Sequence, residues 1–132
     1  MTDLFSSDAA GWLQARPCEE AGRYQTKFAT HHLGNVFIRS LHGGVTGAMI
    51  ELSAEAATRS EVGQDADLAI TSSSVDYLRI TKDEDLHTRA TIQRISRRMS
   101  VVDVTCWQDS EDLIVARGVV TLRIMTSEVA KR

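Results

Sequence analysis

His42, Gly43 and Gly44 stand directly before an apolar run in which one carboxylate, Glu51, falls nine positions after the histidine. A carboxylate left unpaired in apolar surroundings is costly, and such burial is how enzymes tune a group for proton transfer or nucleophilic attack. The two glycines leave backbone N–H groups unshielded and let a ligand come close. At a helix start those donors suit the negative charge that develops on a carbonyl oxygen during acyl transfer. Each feature also has a plainer reading. Glu51 can sit on the one wet side of its helix or pair with an arginine, and the glycines can simply turn the chain. His42 can be a satisfied core histidine or one that orients the site. Glu55 stands four residues before Arg59, the favourable orientation for an intrahelical ion pair, so its expected role is structural.

These residues need a helix to carry them. Over 45–59, Val45, Ala48, Met49, Leu52 and Ala56 recur at helical spacing, while Gly47, Ile50, Ala54 and Ala57 fill the other sides. A helix apolar nearly all round belongs in the interior, wrapped by sheet. Upstream, Ser6-Ser7-Asp8 caps a short helix over about 6–16, stopped near Pro17, with Trp12 and Leu13 as its packing anchors. Alternation predicts a strand over 23–32, a turn at Gly34-Asn35 and a short extended piece through Val36, Phe37 and Ile38. Downstream, strands are expected over 68–78, 86–92, 101–107 and 114–124. In the last, Ile114, Ala116, Gly118, Val120, Leu122 and Ile124 share one face, opposite Arg117, Thr121 and Arg123. Their close connections make an antiparallel meander the simplest topology.

The 132 residues fit one domain, 1–132. Apolar residues at 42% and charged ones at 25% make an ordinary globular balance, and one proline with eight glycines argues against linkers. A formal net charge of -3 points away from a nucleic-acid partner. Cys18 and Cys106 match no metal or redox spacing, and two thiols without a disulfide framework suit a reducing compartment. Residues 1–15 do not read as a signal peptide, and no run reaches the roughly 18 apolar residues of a membrane span. The expected address is the cytoplasm, with no membrane partner and no metal.

Four stretches, taken in order, resemble the hotdog thioesterases of the phenylacetate-pathway and hydroxybenzoyl-CoA type. They are His42-Gly43-Gly44 with Glu51, Ser74-Val75-Asp76-Tyr77-Leu78-Arg79, the run from Ser96-Arg97-Arg98 through Val101-Val102-Asp103-Val104, and Leu113-Ile114-Val115-Ala116-Arg117-Gly118. The likeness spans about residues 34–125. It implies an α+β hotdog fold, a long antiparallel β-sheet wrapped around a central α-helix, in a homodimer or homotetramer with sites between subunits. It implies hydrolysis of an acyl-CoA thioester to free acid and coenzyme A, with no cofactor beyond the coenzyme A of the substrate. Glu51 takes the position of nucleophile or general base, and the Gly43 N–H that of the donor to the thioester carbonyl, beside His42 and Gly44. Asn35 is the nearest counterpart of an amide residue before the histidine. Thr71 or Ser72 from the partner subunit corresponds to the hydroxyl that holds water. Arg94, Arg97 and Arg98 form the one basic cluster. On composition it is a solvated turn; with the resemblance, Arg97 and Arg98 become candidates for the coenzyme A phosphates. Phe37, Met49 and Tyr77 are candidates for pocket lining or for plain core.

The sequence departs from the family pattern in three places. The acid is Glu where the nearest subgroup more often has Asp, Ile80 replaces a proline, and Ser96 replaces a glycine. A hydratase of the same fold needs an Asp/His pair, and the helix offers no histidine. A non-catalytic acyl-CoA-binding module is the stronger alternative, predicting neutral or blocked chemistry at the helix. A structural oligomerisation module would not need the glycine–acid spacing.

Overall fold

A six-stranded antiparallel sheet curls round one long helix in the computed structural model, which describes residues 4–126. The chain opens with a 3-10 turn, Leu4–Ser6, and helix α1, Asp8–Leu13. The Ser7 side chain caps α1 by accepting from the Ala10 N–H at 3.2 Å. Gln14 adopts the left-handed conformation (φ 56, ψ 43), and its N–H turns back onto the Ala10 and Gly11 carbonyls. The helix is therefore shorter than the expected 6–16: its own C-cap ends it before Pro17 can.

Strands β1 (Ala15–Pro17) and β2 (Arg23–Thr26) follow. The strand expected over 23–32 stops at Thr26, because the Asp85 carboxylate takes the Phe28 N–H at 2.7 Å and draws the chain off the sheet. A 3-10 turn, Thr30–His32, leads into the small hairpin of β3 (Leu33–Asn35) and β4 (Ser40–Leu41). Val36, Phe37 and Ile38 form its turn and are not extended. The Asn35 Oδ1 accepts from the N–H groups of Phe37 (3.0 Å) and Ile38 (3.4 Å), and Arg39 takes φ 51. An asparagine closing its own turn outweighs the β preference of Val-Phe-Ile.

Helix α2, Gly43–Val62, is the central helix, and β5 (Asp67–Tyr77), β6 (Leu86–Ile95), β7 (Met99–Trp107) and β8 (Ile114–Thr126) complete the chain. The sheet order is β1-β2-β6-β7-β8-β5. The meander holds for β6, β7 and β8, but β5 crosses to the far side and pairs with β8. β2 occupies the other flank of β6, with Tyr24 opposite Thr88. The connection over 78–85 is long enough for a crossing of three strand spacings, about 14 Å.

The core lies between α2 and the concave face of the sheet. Met49, Ile50 and Ala54 are buried against Leu86, Val102, Val104, Val120 and Leu122. β8 alternates as the pattern requires, with Ala116, Gly118, Val120, Leu122 and Ile124 inside and Arg117 and Arg123 outside. Two buried hydroxyl pairs fix the helix on the sheet: Ser53 Oγ with Thr88 Oγ1 at 2.6 Å, and Thr58 Oγ1 with Ser100 Oγ at 2.9 Å. Each is mutually satisfied, so neither carries the cost of an orphaned polar group. The two sheet edges differ. β1 is three residues long and ends in Pro17, which blunts it; β5 is eleven residues long, largely exposed, and open along one side.

Candidate active site

α2 starts at Gly43 because His42 caps it. His42 has extended backbone angles (φ -61, ψ 136), and its Nδ1 accepts from the Gly44 N–H at 2.8 Å. The His42 carbonyl takes the Val45 N–H at 2.9 Å. The second and third helical donors are thus occupied, while the Gly43 N–H has no acceptor among the described residues. The cap also settles which glycine presents a donor: Gly43 does, and Gly44 holds the turn.

His42 is itself held from three sides. Its N–H donates to the His32 carbonyl at 2.8 Å. Gly34 presses against it so closely that a Cβ there would lie 2.8 Å from the His42 Cα. Ahead of it, the Leu41 N–H donates to Thr81 Oγ1 at 3.0 Å. His32 is fully buried: its Nδ1 accepts from the Ala29 N–H at 3.2 Å and its Nε2–H donates to the Trp12 carbonyl at 3.1 Å. Burial pushes its pKa down, the bond to Trp12 works against that, and the neighbouring His31 adds to the lowering. A neutral ring that accepts at Nδ1 fits both hydrogen bonds. Trp12, expected as a packing anchor, packs at a tilt against both histidine rings, at 4.7 and 5.3 Å between centroids, while remaining half exposed.

The Tyr77 hydroxyl donates to the Gly43 carbonyl at 2.8 Å; the ring edge packs against Gly43, and the hydroxyl oxygen lies beside Gly47. Gly43, Gly47 and Glu51 are spaced four apart and fall on one stripe of α2. The stripe therefore runs from the free N–H, under Tyr77, to the carboxylate. Glu51 is half-buried and has no hydrogen bond or ion pair among the described residues. Glu55 is engaged as the spacing predicted, 3.5 Å from Arg59, whose guanidinium also donates to the carbonyls of Gln64 and Ala66. A groove of about 370 Å3 opens beside Gly43, lined by Ile38, Thr46, Tyr77, Leu78 and Ile80 among others. Four of these, Ile38, Tyr77, Leu78 and Ile80, are large side chains more than half exposed.

The other sequence candidates lie further off. Asn35 closes the hairpin turn that precedes His42, and Phe37, 94% exposed, projects from that turn. Met49 is wholly core. Thr71 and Ser72 sit at a bulge in β5, where Ile70 pairs with Leu122 and Ser72 with Thr121, leaving Thr71 as the extra residue. They are five to six residues from Tyr77, about 17–20 Å along the strand, and so do not meet Gly43 of the same chain. Arg94, Arg97 and Arg98 are exposed around the β6–β7 turn without an ion pair among the described residues. Ser100, next to that turn, is bonded to Thr58, fifteen residues and about 22 Å along α2 from Gly43. The feature the sequence reading did not assign is the Tyr77–Gly43 bond. Its signal was present, because Tyr77 lies within the Asp-Tyr-Leu-Arg run already singled out.

Solved structures share this architecture. A thioesterase from Haemophilus influenzae superposes with a TM-score of 0.82 at 18% identity, over 93% of this chain and 86% of that one. The PaaI protein from the phenylacetic acid degradation operon of E. coli gives 0.79 at 17% identity, over 94% of this chain and 89% of that one. A Bacillus halodurans protein solved with CoA gives 0.76 at 15% identity, over 88% and 74%. At such identities the likeness establishes the hotdog fold. No curated protein matches the sequence. A family model described as the acyl-CoA thioesterase N-terminal domain matches residues 35–123, a stretch that runs from the hairpin before His42 almost to the end of β8, and the chain belongs to that family.

Proposed function

We propose that the chain hydrolyses acyl-CoA thioesters, with Glu51 delivering the oxygen nucleophile and the Gly43 N–H stabilising the oxyanion. The observation that carries this reading is the helix stripe itself: a free N–H at one end and an unpaired, half-buried carboxylate two turns on. As a general base, Glu51 takes a proton from water while the water oxygen bonds to the carbonyl carbon. The C–S bond then breaks, and coenzyme A leaves as a thiolate that is protonated. As a nucleophile, Glu51 would itself bond to that carbon and expel the thiolate, and water would cleave the resulting anhydride. Both routes need the oxyanion donor. The test is release of free thiol, followed with a thiol-trapping dye across acyl-CoAs of different chain length. Binding of acyl-CoAs without any hydrolysis would overturn the proposal in favour of a non-catalytic acyl-CoA-binding module.

The same stripe argues for two chains per site. Eight residues of helix set Gly43 and Glu51 about 12 Å apart along the axis, whereas both groups must come within about 3–3.5 Å of one carbonyl. Glu51 of one copy facing Gly43 of another resolves this, and the open β5 edge supplies a surface for continuing the sheet. Light scattering at micromolar concentration should give a dimer or tetramer. A stable monomer that retained full activity would contradict the shared site.

Arg97 and Arg98 are proposed to hold phosphates of coenzyme A, a reading supported by their exposure and lack of ion pairs. Replacing both with Ala should raise KM for acyl-CoA and leave kcat nearly unchanged, since such contacts act equally on ground and transition states. An acyl-pantetheine, which lacks the nucleotide, should show a high KM in the wild type and barely respond to the double substitution. An equal KM rise for both substrates would assign the arginines to the fold.

A further inference from the structure

A second cavity, larger than the groove at Gly43, lies further along α2, on the side away from Glu51. It measures about 490 Å3 and is walled by Leu4 and Phe5, by Cys18 and Tyr24 of the β1–β2 hairpin, and by Ala56 and Ser60 of α2. Ala56 and Ser60 are one turn apart, and they stand five and nine residues after Glu51. At 100° per residue that places them about 140° and 180° round the helix from the carboxylate, and Ala56 is about 20 Å along it from Gly43. The cavity is therefore not an extension of the candidate active site. Its volume falls within the range of small-molecule sites, and its walls are mainly apolar.

One polar group of this wall lacks a partner among the described residues. Tyr24 is only 6% exposed, with its ring stacked on Phe5 at 5.7 Å. Its hydroxyl has no hydrogen-bond partner among the described residues. Nor is it sealed in the packing, since the one sealed and unpartnered side-chain atom among those residues is Thr26 Oγ1. Tyr24 is one of the residues that line the cavity. Burial raises its pKa, so it remains a protonated donor. Glu20 and Arg23 also line the cavity, and their charges are already matched: Glu20 pairs with Arg23 (3.2 Å) and Arg89 (3.1 Å), and Arg89 also pairs with Glu111 (2.6 Å). Two arginines and two glutamates leave no free counter-charge for an ionic ligand.

We infer that this cavity is a second binding site, taking a neutral molecule with a largely apolar body and one hydrogen-bonding group held by the Tyr24 hydroxyl. The site carries its own reporter. Cys18 in its wall is partly accessible, whereas Cys106 is buried and its thiol is pushed up to about 12, so alkylation of Cys106 signals unfolding. The experiment measures iodoacetamide modification of each cysteine in the intact chain by mass spectrometry, with 1-decanol as probe. Decanol should slow Cys18 alkylation saturably, by about tenfold or more, with Cys106 unmodified. Tyr24→Phe should need roughly three- to tenfold more decanol for the same protection, the size of one lost hydrogen bond. Decanoate, equal in length but charged, should protect more weakly, and Ser60→Trp, filling the cavity from the helix side, should abolish the decanol effect. Absence of protection up to the solubility limit would overturn the site. So would equal protection in Tyr24→Phe, equal protection by decanoate, or Cys106 alkylation appearing with decanol. None of these outcomes depends on thioester hydrolysis.

Discussion

Glu51→Gln should lower kcat for acyl-CoA hydrolysis by about 100-fold or more while leaving the fold intact. The amide keeps the size of the side chain but can neither take a proton from water nor attack a carbonyl. Because the Glu51 carboxylate makes no hydrogen bond or ion pair among the described residues, the substitution breaks neither kind of bond. Stability should stay within about 0.5 kcal/mol of the wild type, as for other replacements away from packed or paired groups. Thermal unfolding and turnover measured side by side separate the two roles. A large drop in Tm with a proportionate loss of activity would make Glu51 structural. Turnover equal to wild type would remove it from the mechanism. Substrate affinity should change little, because the carboxylate acts on the reacting atoms and not on the body of the ligand.

The parts of this fold legible in the sequence are those set by local periodicity. The apolar run of α2, the alternation of β8 and the Glu55–Arg59 pair all follow from which side chains share a face. What local pattern did not give are the features settled by distant partners. Asp85 ends β2 by capturing the Phe28 N–H, and β5 pairs with β8 across a connection that no periodicity encodes. The turn at 36–38 was misread for a different reason, since the Asn35 side chain overrides three residues of strong β preference. The helix was also read as more apolar than it is. Thr46, Ser53 and Thr58 are buried on it, and two of them are admissible because hydroxyls on the sheet stand opposite.

The candidate site was legible in its residue types and less so in its geometry. The spacing from His42 to Glu51 pointed to the helix start and the acid, but not to which glycine keeps a free N–H. That depends on the His42 ring turning back onto Gly44. Their separation, by contrast, is legible from spacing alone, since eight residues of helix put Gly43 and Glu51 about 12 Å apart along the axis.

Gly118→Ala should be the most damaging single-methyl change in the core, because it would separate the helix that carries Glu51 from the strand beneath it. A Cβ at Gly118 would lie 2.7 Å from Ile50 Cγ2 and 3.0 Å from the Ser74 carbonyl oxygen. Ile50 is fully buried and Ser74 belongs to the paired backbone of β5, so neither neighbour can swing aside. Overpacking of this kind costs about 1–3 kcal/mol, which for a domain of this size lowers Tm by roughly 3–15 °C. Ile50→Ala alone should also destabilise, by about 2–5 kcal/mol, through the cavity it leaves. If the clash is with Ile50, the double variant should lose less than the sum of the two, with a coupling of about 1 kcal/mol or more. Strict additivity in chemical denaturation would show that the strand tolerates the methyl by moving elsewhere. Glu51 directly follows Ile50 in α2, so Gly118→Ala should also lower kcat in protein that is still folded at the assay temperature, linking the close helix–sheet approach to the position of the acid.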